Sequence, residues 1–306
     1  MEVTYKVPRS IPDNFGAPIG ELLHLINLIN SGENEGVIID FSDCRFGNSF
    51  HLGTIAMLLS KSNEGKLPVK LSVTGLENPF IRSYLSAICF PNCFDTLLGS
   101  NIKKLDTYSR KTYIPIVKFP ANSQAPNDLI REKMLEAAGN VIQRQLQLSG
   151  EFLNAVKYFI SEITNNVADH SKGDSGYMFA QYFSHKLYID LCVIDDGRGI
   201  FDSFANSTTY HPASHVEAIE MAVNGCSTKG ENSRGFGIPS SRHMLVKGLG
   251  GRFLMWSGCA GYLEQRGAAG SGSVELAEKQ AFPGTFVGFR IPLNPNPDFR
   301  YIDYLE

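Results

Sequence analysis

The ten residues KLYIDLCVID, 186–195, constrain the fold more than any other stretch of this chain. They form a short apolar run that reads as a buried strand. The run ends on a carboxylate, Asp195, and passes directly into Asp-Gly-Arg-Gly. A carboxylate at the end of a buried strand needs a partner, because burying it alone is costly. Similar strand runs occur at 36–41 (GVIIDF), 69–75 (VKLSVTG), 113–118, 176–185, 252–257 and 284–292. Helical spacing separates them: 49–62, 78–88, 127–150, 151–169, 213–223 and a segment ending near 247. Asn127 is placed as the cap of the 127–150 helix, Gly150 as its stop and Asn78-Pro79 as the opening of 78–88. This alternation predicts an α/β protein. The 306 residues, 43% hydrophobic and 19% charged, leave room for two domains. We place the boundary between 100 and 125, giving domains 1–115 and 125–306.

Net charge excludes little but directs expectation. At −3 overall the chain lacks the basic excess usual in nucleic-acid binders, so no nucleic-acid partner is expected. MEVTYKVPRS has no apolar signal core and no run is long enough for a membrane span, so a cytoplasmic location and no membrane partner are expected. The six cysteines, 44, 89, 93, 192, 226 and 259, have no Cys-x-x-Cys pair. They read as reduced, mostly buried thiols rather than a zinc site.

The stretch SEITNNVADHS, 161–171, places Glu162, Asn166 and His170 four residues apart. On a helix these lie one above another. Val156, Ile160, Ile163 and Val167 form the adjoining apolar arc, so the three polar groups run along the margin of the core. A pocket wall and a solvated stripe with helix–helix hydrogen bonds both fit that placement. Three further stretches bear on the choice. In CVIDDGRGI, Asp195 precedes Gly197 and Gly199, where backbone can approach a flat ligand, although Asp and Gly also make ordinary turns. In SRGFGIPSS, Gly235 and Gly237 precede a helix, whose first amides suit an anion or simply open the helix. In PGTFVGFRIP, Gly284-Thr285 leads into the last strand.

Taken in order, these four stretches resemble the GHKL ATP-binding family of gyrase-type topoisomerases, the large heat-shock chaperone, histidine kinases, mismatch-repair ATPases and anti-sigma serine kinases. The resemblance covers residues 150–293. It implies a Bergerat-type two-layer α/β sandwich with a mixed sheet, and ATP and Mg²⁺ as cofactors. It implies Mg²⁺ on Asn166, adenine recognition by Asp195, base-pocket glycines at Gly197 and Gly199, and phosphates over Gly235 and Gly237. Thr285 would support the adenine end, and Glu162 would be the catalytic base. His170 would have a supporting role. The stretch 201–234 is the expected lid, from which Lys229 could reach the γ-phosphate. Pro239 departs from the family's straight helix start but is tolerated in a first turn.

In the front third, VIIDFSDCRFGNSFHLGTIAMLL resembles the STAS domains of anti-sigma-factor antagonists over residues 35–98. Asp40 and Ser42 match that domain's strand end, and NSFHLG stands where its phosphorylatable turn would be. Asn48 replaces the acidic residue and the usual first two strands are missing or altered. Ser49 matches the phosphate acceptor, but capping the following helix accounts for it more simply. The two resemblances together imply a signalling ATPase or serine/threonine protein kinase of the anti-sigma type, with a STAS-like unit in cis. A protein partner or substrate is implied, and a homodimer is compatible. The alternative is a non-catalytic, ATP-gated interaction module. A histidine kinase proper fits poorly, because His24 lacks the acidic neighbour and long dimerisation helices of such phosphoacceptors.

Overall fold

The computed structural model describes residues 1–96, 101–122, 124–146, 150–205, 207–226, 237–267, 271–294 and 298–305. The front third alternates strand and helix: β1 (Glu2–Lys6), α1 (Ala17–Asn30), β2 (Gly36–Asp40), α2 (Ser49–Asn63), β3 (Lys70–Thr74) and α3 (Arg82–Ala87). Its three strands form a parallel sheet in the order β1-β2-β3. The turn into α2 is capped by Asn48, whose side-chain oxygen accepts from the Phe50 and His51 amides. Ser49 therefore does not cap the helix. It is fully buried within it. Asn78 does not open α3 either, since that helix begins at Arg82. Its amide instead donates to the carbonyls of Phe41, Ser42 and Cys44, tying the loop to the end of β2.

The rest of the chain builds an eight-stranded mixed sheet. Its strands are β4 (Phe94–Asp95), β5 (Tyr113–Pro120), β6 (Ser175–Phe183), β7 (Tyr188–Asp195), β8 (Arg252–Gly258), β9 (Ala260–Gln265), β10 (Gly272–Glu275) and β11 (Phe282–Pro292). They run in the order β10-β9-β8-β11-β7-β6-β5-β4. Only β4 and β5 pair in parallel. The boundary region expected between 100 and 125 thus contains a full strand of this sheet. Between the strands lie α4 (Ala125–Leu146), α5 (Gly150–His170), α6 (Gly199–Ser203), α7 (His215–Val223) and α8 (Gly237–His243). Asn127 lies in the first turn of α4 rather than capping it, because the helix begins two residues earlier.

Alternation along β7 explains its mostly apolar sequence. Leu191 and Val193 join a core with α4 and α5, to which Phe159, Ile160 and Ile163 contribute. Cys192 and Ile194 join a second core on the opposite face, formed with Phe50, Ile55 and Leu58 of α2. Both faces of the strand are covered, so both sets of alternating positions are mostly apolar, and its two carboxylates, Asp190 and Asp195, are buried with partners. The large sheet is mixed, as expected, and α2 lies across its second face, against β6 and β7. Gly53 faces β7: a Cβ there would lie at ordinary contact distance, 3.4 Å from the Cys192 sulfur and 3.5 Å from the Ile194 side chain. No helix among the described residues is long and apolar enough to cross a membrane. All six cysteines are free, but only Cys44 and Cys192 are fully buried and the other four are half-buried.

Candidate functional site

Along α5, Val156, Ile160, Ile163 and Val167 face the core, as their spacing requires. Glu162, Asn166 and His170, on the neighbouring stripe, all line a cavity of about 630 Å³. All three are half-buried along that wall. The opposite wall comes from strands distant in sequence: Val193 and Asp195 of β7, Met255 of β8, and Thr285 and Val287 of β11. Gly199 and Ile200 form one corner, Gly237 to Pro239 another, and Asp128, Arg131 and Leu135 of α4 close a third side.

Asp195 is the most perturbed group in this wall. It is 4% exposed, and burial pushes its carboxyl up to about 7. The Gly197 amide, donating to Oδ1 at 2.8 Å, acts in the opposite direction. The adjacent Asp196 raises it further, whereas the Thr285 hydroxyl and Lys61 lower it. Thr285 stands directly opposite Asp195 in the β11–β7 register. Gly284 has φ +143°, and a Cβ there would collide with the Asp195 carbonyl oxygen. Glycine at 284 is thus dictated by the close pairing of β11 with the end of β7.

The second glycine corner meets α5. A Cβ on Gly237 would land on the Glu162 carboxylate and 3.4 Å from Asn166 Nδ2. The Glu162 carboxylate also lies near the Tyr158 and Tyr301 hydroxyls, both raised first by burial and then by this charge. Asn166 Nδ2 is buried and meets no hydrogen-bond partner among the described residues. An orphaned amide beside a carboxylate and a glycine cradle is the kind of local deficit that a polar ligand satisfies.

Of the sequence-derived site residues, Glu162, Asn166, Asp195, Gly199, Gly237 and Thr285 come together on the one cavity. Gly197 does not line it. A Cβ there would strike the Ser171 carbonyl, so this glycine lets the corner pack against the end of α5. Lys229 and Gly235 lie outside the described residues. The lid expected over 201–234 is regular in part, since it contains the end of α6 and all of α7. The stretch 227–234 lies outside the described residues.

No family model matches the chain, and no curated protein matches its sequence.

Several residues that sequence reasoning missed hold these corners in place. Ser257 Oγ accepts from the Ile200 amide at 2.9 Å and donates to the Gly284 carbonyl at 2.9 Å, stitching two corners together. Its signal was a hydroxyl ending an otherwise apolar strand. Arg198 donates from Nε to the His170 carbonyl at 3.0 Å, and its amide donates to the Ser171 carbonyl at 2.8 Å. Arg131, 5% exposed, donates to the Asn122 carbonyl at 2.7 Å and pairs with Asp128. Nothing in the spacing of Arg198 or Arg131 distinguished them from surface residues.

Proposed function

We propose that this chain binds ATP with Mg²⁺ in the cavity beside α5, as a signalling ATPase or protein kinase of the GHKL type. The observation that carries the reading is convergence. Glu162, Asn166, Asp195, Gly199, Gly237 and Thr285 are spread over more than a third of the sequence, yet all line one cavity. Its volume, about 630 Å³, lies within the range of small-molecule and cofactor sites.

The residues fit the roles that the resemblance implies. Asp195, held from behind by the Gly197 N–H, can accept a hydrogen bond from an exocyclic amine once ionised. Val193, Ile200, Met255 and Val287 supply apolar surface for a flat base. Asn166 offers an amide oxygen, a hard donor suited to Mg²⁺. No group of three or more His, Cys, Asp or Glu able to hold a metal occurs among the described residues. A Mg²⁺ site here would be completed by phosphates and water rather than by a protein cage. Bound Mg²⁺ would neutralise charge on the transferring phosphoryl group. Glu162, on the same face and next to Gly237, is placed to take a proton from an attacking water or hydroxyl.

The front unit fits the interaction role of a STAS-like module better than a phosphate-acceptor role. Ser49 is fully buried under the turn that would present it, out of reach of a kinase. Incubation with γ-labelled ATP and Mg²⁺ tests the reaction, with Glu162→Gln as control. Wild type should transfer or release the label, and the variant should bind ATP but turn over about 10²–10⁴-fold more slowly. A folded, ATP-binding variant with wild-type turnover would remove Glu162 from the role of base. ATP binding without turnover in wild type would leave an ATP-gated interaction module.

A further inference from the structure

Lys61 lies in the last turn of α2, on the face of the large sheet opposite the cavity, and is 8% exposed. Its ammonium donates to the Asp196 carbonyl at 2.7 Å and to the Pro283 carbonyl at 2.8 Å. Asp196 follows Asp195 directly, and Pro283 precedes Gly284-Thr285. One side chain of the front unit therefore holds the two segments that form the base end of the cavity. Those segments touch so closely that only glycine fits at 284.

We propose that Lys61 is a positioning residue for the nucleotide base, and that through it the front unit sets the affinity and base preference of the cavity. The proposal rests on the reading of that cavity as an ATP site. Its first support is cost: a buried ammonium is expensive unless fully hydrogen-bonded and electrostatically matched. A methionine would pack in the same space without that cost. Lys61 is matched to this particular corner, with the Asp195 and Asp196 carboxylates as its opposing charges and α2's C-terminal dipole favouring a cation. Burial lowers its affinity for a proton, and the two carboxylates oppose that only in part.

The second support is the surrounding clamp. Asp196 Oδ1 accepts from the Asp174 and Ser175 amides at 3.1 Å each. Lys66, just beyond α2, pairs with Asp174 and approaches Asp196 Oδ2 at 3.6 Å. Glu64 joins Lys66 at 2.7 Å to Lys118 of β5 at 3.0 Å. The corner after Asp195 is thus gripped from the front unit at several points, and Lys61 reaches both Asp196 and Pro283. If the base binds best when this corner is held, then by reciprocity nucleotide must tighten the hold of α2 on the sheet.

The test is calorimetric titration of ADP and of GDP, each with Mg²⁺, into the full chain and its Lys61→Met variant, with melting curves on the same preparations. In wild type ADP should bind more tightly than GDP. In a folded Lys61→Met chain ADP affinity should fall about tenfold or more, the scale of lost charge-assisted hydrogen bonds, while GDP affinity stays nearly constant. A variant that merely loosens the fold would weaken both ligands alike. A folded variant with wild-type ADP affinity and base preference would overturn the proposal and leave the ATP reading standing. No ADP binding to wild type would overturn both. If Lys61→Met does not fold, hydrogen exchange on wild type decides: ADP should slow amides in the last turn of α2, across the sheet from the cavity. Unchanged exchange there would overturn the proposal.

Discussion

At the scale of single residues, Asp195 decides most about how this site behaves. Its carboxyl is pushed up to about 7 from an ordinary 3.8, chiefly by burial. The folded free protein therefore holds this proton more tightly than the unfolded chain does. Its contribution to stability is greatest at acid pH and is lost as pH rises from about 4 through about 7. An adenine amino group favours the opposite form, since the ionised carboxylate is the stronger hydrogen-bond acceptor. Binding should therefore release a proton where Asp195 is still protonated in the free protein. Calorimetry at about pH 6.5 in buffers of different ionisation enthalpy should give buffer-dependent heats, and at about pH 9 it should not. Heats at about pH 6.5 that are the same in every buffer would mean that Asp195 does not change protonation on binding.

At the scale of elements, Arg290 of β11 and Asp190 of β7 face each other in register inside the sheet. The guanidinium donates to both carboxylate oxygens, at 2.7 and 2.8 Å, and stacks 4.0 Å over the Tyr188 ring. It also reaches Asp13 of the front unit at 3.1 Å. Arg290→Met should leave a buried carboxylate unpaired and cost about 3–5 kcal/mol, read from urea unfolding. A loss below about 1 kcal/mol would show that the pair is not the buried tie its geometry indicates. Elements of this kind were legible in the sequence to different degrees. β7 and α5 were plain, because burial on two faces or on one arc leaves a direct imprint on residue type. β9 and β10 were not, since AGYLEQ and GSVE are short and half-exposed and carry no clean alternation. Caps were misplaced by a residue or two at Asn48 and Asn127, where neighbouring polar residues compete for the same role. Six of the site residues came from ordered motifs. Ser257 and Lys61 escaped because each sits near the end of its element, where a polar residue is ordinary, and its purpose depends on distant backbone.

At the scale of the whole molecule, the front unit and the large sheet share a core. Phe50 of α2 packs edge-on against Phe286 at 5.4 Å, and Phe179, Ile194 and Trp256 are buried in the same cluster. Each such side chain returned to water costs about 1.5–3 kcal/mol. A fragment comprising 101–306 should therefore associate or melt well below the full chain, as read by size-exclusion chromatography and thermal unfolding. A monomeric fragment with the full chain's melting temperature would show that α2 contributes nothing to the stability of the sheet. The shared core also means that the cavity is one wall of a larger assembly, with its base end backed by residues of the front unit. Whether that cavity holds ATP is tested most directly by titrating ATP with Mg²⁺ into the full chain and its Asp195→Asn variant. Saturable one-site binding to wild type, weakened about tenfold or more in a folded variant, is the expected result, on the scale of a lost hydrogen bond to a charged acceptor. No saturable heat with wild type, or equal affinity in the two chains, would contradict the assignment.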